Sequence, residues 1–466
     1  MSYIALDVGS SYIKLANLNV QELSVTHIRT APMPEPLAGV HPLRKEWDME
    51  LLYRRIAAML DEQLESCVGE CQGIWITTQM HGFVLADELG QAVTSYINWQ
   101  DERGLEPAAA PGINVMTELM GRIGDEAWLR TGLWQKPGIA AVSLYHMLNY
   151  GDIDAVIGRT YRGLQLCTLG GYVILRLTGQ HVCHLTNAVP TGLADLAGRC
   201  WDQSILNAVG CQGIALPRIE SGYDAVGEFH SKFGIIPVFP DIGDHQAAFL
   251  GSLAHPEEEV VMNIGTAGWL SQATPSLQPG AWETRPYFEE RYLATITKLP
   301  GGRNLAVLVD FIRSVGHSVF QRERPADELW EHLLREAERT GTDGLRSEVG
   351  YWGPQTGTNP GAIWNIHGAN LSAGSILASA MNEIALTYSE QFKHLAGGRD
   401  VRRIIGTGGV LMKNGYLRRE IERQLSMEIV PAPLENEVFL GLLRLALIYE
   451  GKCANVEQTR TLILSR

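Results

Sequence analysis

The segment Leu6-Asp7-Val8-Gly9-Ser10-Ser11-Tyr12 closes an apolar run with a carboxylate, a glycine and two hydroxyls. A turn rich in glycine and hydroxyls can aim several backbone N–H groups at phosphate oxygens, which binds an anion without a charged side chain. Gly9, Ser10 and Ser11 would supply that cradle, and Asp7 could hold Mg²⁺ beside it through water. The alternative is a plain β-hairpin with a structural aspartate. Neither the G-x-x-x-x-G-K-[ST] nucleotide loop nor a G-x-G-x-x-G dinucleotide turn follows this first strand. A second copy of the pattern stands in Met262-Asn263-Ile264-Gly265-Thr266-Ala267-Gly268-Trp269, where Gly265 and Thr266 take the corresponding places. The offset, 263 − 7 = 256 residues, is a little over half the chain of 466. A duplicated domain would place one such hairpin on each side of a shared cleft. Chance repetition of a common turn is the other reading.

A third group is Pro240-Asp241-Ile242-Gly243-Asp244-His245-Gln246-Ala247-Ala248, after the apolar Ile235-Ile236-Pro237-Val238-Phe239. A strand ends, a glycine permits a sharp turn, and Asp244 sits where a small-residue helix would begin. The helix dipole and free N–H groups favour its ionised form there. Such a carboxylate could take the proton of a sugar hydroxyl attacking phosphorus. Asp241 is a rival for that role, and a simple helix cap would explain either. Gln79-Met80-His81-Gly82 and Trp99-Gln100-Asp101-Glu102-Arg103 each set polar side chains just past apolar strands. Ligands of α/β proteins gather at that end of a sheet. Polyols need several fixed hydrogen bonds and an apolar wall, which Gln79, Met80, His81, Trp99, Asp101 and Arg103 offer between them. A structural histidine and an Asp101–Arg103 surface pair are the plainer alternatives.

These residues require strands and helices in alternation. Asp48 can cap a helix with Leu52, Ile56, Met59 and Leu60 at helical spacing. Gly73 to Thr78 reads as a buried strand, residues 371–395 as a helix, and Arg403-Ile404-Ile405 as a short strand entering Gly406-Thr407-Gly408-Gly409. Leu417, Ile421 and Leu425 form a helical stripe beyond that turn. The pattern predicts an α/β chain. Pro32, Pro34 and Pro36, and the Gly/Asn/Pro-rich stretch 350–370, read as surface loops.

At this length one compact core gives way to two domains. The apolar fraction of 45% and charged fraction of 19% are those of a globular protein. Lys and Arg total 38 against 52 Asp and Glu, a formal charge of −14 that disfavours nucleic acid as a partner. No apolar stretch is long enough to cross a bilayer, and the first residues do not read as a signal peptide. Seven cysteines without framework spacing fit reduced thiols and a cytoplasmic location. His181, Cys183 and His184 are close in sequence, but strand alternation would split them between faces, against a metal site.

Taken together, these segments resemble the FGGY carbohydrate kinases, of the actin-like, sugar kinase and heat-shock ATPase superfamily, almost end to end. Residues 7–10 look like the family's D-x-G-[TS] phosphate motif and residues 263–268 like its second. Residues 243–248 are similar to the G-D-x-x-A-[AGS] segment that bears the catalytic base. Residues 406–409, with the helix from Asn414, resemble the adenosine-binding segment, which makes Gly408, Gly409 and Asn414 cofactor residues. Gln79-Met80-His81-Gly82 is similar to the sugar-contacting segment of xylulokinases and sedoheptulokinases. Trp99-Gln100-Asp101-x-Arg103, Arg285-Pro286-Tyr287-Phe288 and residues 300–304 are closer to sedoheptulokinases. The chain departs from the family at Glu102, where glycine is usual, at Ser143, where many relatives carry Lys, and at residues 352–357, which lack G-E-R.

The resemblance implies two duplicated actin-like (ribonuclease H-like) domains around a cleft. Residues 1–252 would carry the sugar and the base, and residues 253–466 the nucleotide. It implies ATP and Mg²⁺ as cofactors, a ketose of sedoheptulose or xylulose type as substrate, Asp244 as base and Asp7 as the residue orienting hydrated Mg²⁺. A catalytically impaired sugar-binding or regulatory protein on the same fold is the alternative, and an ATPase or phosphohydrolase of the superfamily a third reading. Which ketose, which hydroxyl, and whether the chain forms a homodimer stay open.

Overall fold

The structure is a computed structural model and describes residues 2–67, 71–151, 163–278, 280–351, 360–433 and 436–465. The altered segment at residues 352–357 lies outside them. Two six-stranded sheets, one in each half of the chain, carry the architecture. The first contains β1 (Ser2–Val8), β2 (Tyr12–Asn19), β3 (Ser24–Pro32), β4 (Cys71–Thr78), β5 (Gly227–Ser231) and β6 (Gly234–Gly243), in spatial order β5-β6-β4-β1-β2-β3. The second contains β7 (Glu259–Ile264), β8 (Gly268–Thr274), β9 (Glu283–Pro286), β10 (Tyr292–Leu299), β11 (Arg403–Thr407) and β12 (Ile429–Pro431), in order β9-β10-β8-β7-β11-β12.

The two sheets repeat one plan. In the first, β1 pairs antiparallel with β2, β2 antiparallel with β3, and β1 parallel with β4. In the second, β7 pairs antiparallel with β8, β8 antiparallel with β10, and β7 parallel with β11. Asp7 lies opposite Thr77, and Asn263 opposite Thr407. The echo between the Asp7 and Asn263 segments is therefore a repeated unit of structure. Two-residue alternation explains why β1 is buried on both faces. Ile4, Leu6 and Val8 meet Leu52, Ile56 and Leu60 of the helix Met49–Glu65, whereas Tyr3 and Ala5 face a second core with Trp75, Phe239, Leu442 and Leu445. As expected, Asp48 caps the first of these helices, accepting from the Leu51 amide at 2.9 Å.

The second core joins the halves. Trp75 stacks on Phe239 at 4.0 Å between centroids, and Tyr449 meets Phe239 edge-on at 4.7 Å. Tyr449 ends the helix Glu437–Tyr449, which crosses the helix Asp244–Gly251. A Cβ on Gly251 would collide with the Glu437 carbonyl, and one on Gly441 with the Ala247 carbonyl, so the two helix backbones touch.

Two loop expectations need correction. Pro32 is the last residue of β3 and Pro34 is buried, because the Trp47 indole donates to the Pro34 carbonyl at 3.0 Å and holds this stretch down. Within 350–370, Ala362–Trp364 forms a short strand paired with Arg346–Glu348. The helix expected over residues 371–395 spans Ala373–Ala396, with Ser372 as its cap. Among the described residues, no helix is long and apolar enough to cross a membrane.

Candidate active site

A cleft of about 360 Å³ lies between the sheets. Ser10 from the turn between β1 and β2 lines it, as do Asn263, Ala267 and Gly268 around the turn between β7 and β8. Gln79, Met80, His81, Trp99 and Asp244 complete the part of its wall that the sequence pointed to.

Asp244 is the first residue of the helix Asp244–Gly251, directly after β6. Its Oδ1 accepts from the His245 amide at 2.8 Å. Burial nevertheless lifts the carboxyl to about 6, with that amide and the Arg285 charge opposing the rise. Desolvation thus outweighs the helix-terminus effect expected from sequence. Gly243 is needed for its size rather than for a left-handed turn, since its φ is −65°. A Cβ there would come within 2.7 Å of the Met80 sulfur and 3.0 Å of the Thr186 carbonyl.

The rival Asp241 is fully buried and outside the cleft wall. It accepts from Thr168 Oγ1 at 2.8 Å, the His184 amide at 2.7 Å and Asn187 Nδ2 at 3.0 Å. Burial lifts it to about 7 against these donors. Its geometry is that of a support beneath the β6–helix junction.

Asp7 is buried at the end of β1, opposite Lys14. Burial lifts it to about 7, Lys14 pulls it down, and Asp244 pushes it further up, so the two carboxylates feel each other. A divalent cation at this spot would relieve both burial and repulsion, and the carboxylate pair is a suitable donor set for hydrated Mg²⁺. Among the described residues no group of three or more His, Cys, Asp or Glu forms a closed metal cage.

The segment Gln79-Met80-His81-Gly82 is tied to the first turn. Gln79 donates to the Gly9 carbonyl at 3.3 Å and accepts from Asn98 Nδ2 at 3.2 Å. His81 has φ of +71°. Its Nδ1 lies 2.8 Å from the Pro190 carbonyl, so that nitrogen donates. Burial and the Arg285 and Lys136 charges push its pKa down to about 3, and the neutral ring keeps Nε2 as an acceptor. Asp101 and Arg103 do not line the cleft. They form a buried bidentate pair, Arg103 Nε to Asp101 Oδ1 at 2.7 Å and the Arg103 Nη2 atom to Oδ2 at 2.9 Å. The same guanidinium reaches Glu46 at 2.6 Å. This is an internal brace, not a surface pair.

On the other side, Gly9 and Ser11 share the first turn with Ser10, and Gly265 and the exposed Thr266 share the second with Ala267. The Gly302 amide donates to the Gly265 carbonyl at 2.9 Å and the Arg303 amide to the Thr266 carbonyl at 3.1 Å, which fixes that turn on the helix Gly302–Phe320. Gly408 has φ of +88°, and a Cβ there would lie 2.6 Å from the Ile264 carbonyl oxygen. Gly409 has open space where a Cβ would be. Asn414 caps the helix Gly415–Leu425 through the Leu417 amide at 3.0 Å and is buried. Gly408, Gly409 and Asn414 are not part of the cleft wall.

Sequence reasoning missed an ionic cluster in that wall. Lys136 pairs with Glu283 at 2.6 Å and donates to Thr297 at 3.0 Å, while Arg285 pairs with the other Glu283 oxygen at 3.0 Å. Burial pulls Lys136 down to about 8, and the two cations hold Glu283 at about 2 despite burial. The Thr284 amide also donates to the Gly132 carbonyl at 2.8 Å. The loop around Lys136 is thereby clasped to β9 across the cleft. The Arg285-Pro286-Tyr287-Phe288 segment was the only sequence signal near it.

Two sheets of one plan, hairpin turns facing a shared cleft and a carboxylate at a helix N-terminus define an actin-like two-lobed protein. The profile described as "FGGY family of carbohydrate kinases, N-terminal domain" matches residues 2–251. The chain belongs to the FGGY family of carbohydrate kinases. It is 27% identical over 301 residues to glycerol kinase 2 of Saccharolobus solfataricus, covering 63% of this chain and 56% of that protein. It is 25% identical over 279 residues to the xylulose kinase of Klebsiella pneumoniae, covering 57% and 53%. The chain thus spans about half the length of the curated relatives it matches. Its fold is that of xylulose kinase from Lactobacillus acidophilus, TM-score 0.83 at 16% identity over 98% of this chain and 91% of the other. It likewise matches Plasmodium falciparum glycerol kinase with ADP, TM-score 0.80 at 17% identity over 99% and 92%.

Proposed function

We propose that the protein is an ATP-dependent kinase that transfers the γ-phosphoryl group to a hydroxyl of a small ketose, of the sedoheptulose or xylulose type. The observation that carries this reading is a shared cleft lined by Asp244, by Ser10 of one glycine hairpin and by Asn263 and Gly268 of the other. Residues 1–252 form the sugar domain in this reading and residues 253–466 the nucleotide domain. The relatives named as xylulose and glycerol kinases support a small polyhydroxylated acceptor. The neighbour with ADP supports a nucleotide cosubstrate.

Asp244 takes the proton of the attacking hydroxyl; its carboxyl, poised near 6, is mostly ionised at neutral pH while remaining a usable base. His81 Nε2 and Trp99 orient the sugar, Gln79 couples that segment to the first turn, and Met80 lines the cleft beside Gly243. Amides around Gly9, Ser10, Ser11, Gly265 and Thr266 stabilise the spreading charge of the transferred group, the larger part of catalysis in phosphoryl transfer. Gly408 and Gly409 let the adenosine approach the backbone, and Asn414 shapes the helix beside it. Asp7 would hold hydrated Mg²⁺, which neutralises phosphate charge when bound. The buried Asp101–Arg103 brace keeps Trp99 in place. The seven cysteines are unpaired thiols, in keeping with a cytoplasmic enzyme.

The test is coupled ADP release across D-xylulose, L-xylulose, D-ribulose, sedoheptulose and related polyols. Sugar-dependent ADP release from at least one ketose is expected. ATP turnover that ignores every sugar would instead indicate an ATPase, and calorimetric sugar binding without ADP release would indicate the regulatory alternative.

A further inference from the structure

The Lys136–Glu283–Arg285 cluster is larger than a clasp requires. One carboxylate serves two cations, and both cations line the cleft. Arg285 is 3% exposed, and its Nε finds no acceptor among the described residues. A buried guanidinium N–H left without a partner is costly, and Arg285 lines the cleft, so an acceptor brought there by a ligand would offset that cost. Lys136 has three N–H donors and uses them on Glu283 and Thr297, which leaves donor capacity toward the cleft. Arg285 and Lys136 can donate and cannot accept. They suit an oxygen that can only accept, a carbonyl or a carboxylate, better than a hydroxyl that must place its own proton.

Charge decides between the two. In the buried corner Glu283 and Asp244 balance Arg285 and Lys136, and the third cation of the wall, Lys298, is exposed to solvent. His81, with burial and both cations against protonation, adds no charge. The corner has no surplus positive charge to neutralise a carboxylate, so a neutral acceptor fits. We propose that Arg285, with Lys136 beside it, grips the carbonyl oxygen of an open-chain ketose and sets the preference of the cleft for keto sugars over polyols of equal length. This rests on the kinase reading above, and it assigns the two residues as specificity determinants rather than as a structural clasp alone.

The experiment compares kcat/KM for D-xylulose, D-ribulose and sedoheptulose, for the polyols made from each by borohydride reduction, and for D-xylonate. The wild type, R285Q, R285K and K136M are measured, with calorimetric ATP binding for each. The wild type should favour the best ketose over its polyols on the order of 10–100-fold, the weight of a hydrogen bond from a charged donor. R285Q should lose that factor on the ketose while the polyols change less than about threefold, and R285K should recover part of it. Equal turnover of ketose and polyol, a preference for xylonate, or an equal loss on all substrates in R285Q each overturns the inference and leaves the kinase reading standing. Absence of both ATP binding and sugar-dependent ADP release in the wild type would bring down the kinase reading, and this inference with it.

Discussion

Replacing Asp244 by Asn tests the reaction with the smallest change of shape. The amide oxygen can still accept from the His245 amide, now 2.8 Å from Oδ1, so the helix start should persist. What is removed is the proposed base. A positioned base contributes roughly 10²–10⁴-fold, equivalent to about 2.7–5.5 kcal/mol of barrier. The carboxyl at about 6 is roughly nine-tenths ionised at pH 7, so the wild type draws on nearly all of that contribution. Coupled ADP release should therefore fall at least 10²-fold in kcat, while calorimetric sugar affinity changes by less than about threefold. Stability should move the other way. A carboxyl raised from 3.8 to about 6 by burial is disfavoured in its ionised form, and removing that charge at pH 8 should stabilise the fold by at most about 3 kcal/mol. A variant that kept near-normal kcat would take Asp244 out of the mechanism. One that lost activity together with sugar binding and melting temperature would show a structural role only.

The pH profile gives a second check: with the base at about 6, kcat/KM should fall roughly tenfold per unit below that pH and be flat above it, as read in a buffer series with constant ionic strength. Asp7 and Asp241, both raised to about 7, bind protons more tightly folded than unfolded. Their stabilising contribution is complete below about 4 and lost as pH rises through 7, so these two groups should make thermal melts higher near pH 5.5 than at pH 8. Asp7→Asn should raise the Mg²⁺ concentration for half-maximal rate by on the order of 10–100-fold with sugar affinity unchanged; an unaltered Mg²⁺ titration would separate Asp7 from the cation. Asp241→Ala strands donors from Thr168, His184 and Asn187 and should cost on the order of 2–4 kcal/mol in denaturant melts.

How far the sequence reads depends on whether a feature is local. The strand–turn–helix around Asp244 was legible because an apolar run, a glycine and a small-residue helix stand within a few positions of one another. The hairpins were legible for the same reason, and their repetition predicted the two-sheet plan. Lys136 and Glu283 were not, for they lie 283 − 136 = 147 residues apart and meet only because a loop of one half docks on β9 of the other. Nothing near Lys136 marks it, since Gln135 and Pro137 suggest a loop and no more. Asp101 and Arg103 show the opposite failure: their types and spacing suggested ligand contact or a surface pair, but Lys45 and Glu46 cover them from a distant segment. Gly243 misled in a subtler way, because sequence shows that a glycine is present without showing whether conformation or volume demands it.

The repeated plan also sets two segments of different make-up at equivalent strand ends. Gln79 follows the strand parallel to β1, and Gly408 follows the strand parallel to β7, so the proposed sugar and adenosine segments leave equivalent strand ends. At the first end the chain keeps large side chains, Gln79, Met80 and His81, and accepts a positive φ at His81 to aim them. A polyol is small and wet, and side-chain donors and acceptors must reach it. At the second end the chain is stripped to Gly408, where a Cβ would press on Ile264, and Gly409, where there is open space. A flat nucleotide needs backbone brought close and no side chain in the way. In the proposed reading, equivalent strand ends would serve two kinds of recognition by opposite choices of residue size. The carboxylate that would link them, Asp244, sits on a helix whose backbone touches the helix of Gly441. That contact ties the helix that carries Asp244 to a helix from the second half of the chain.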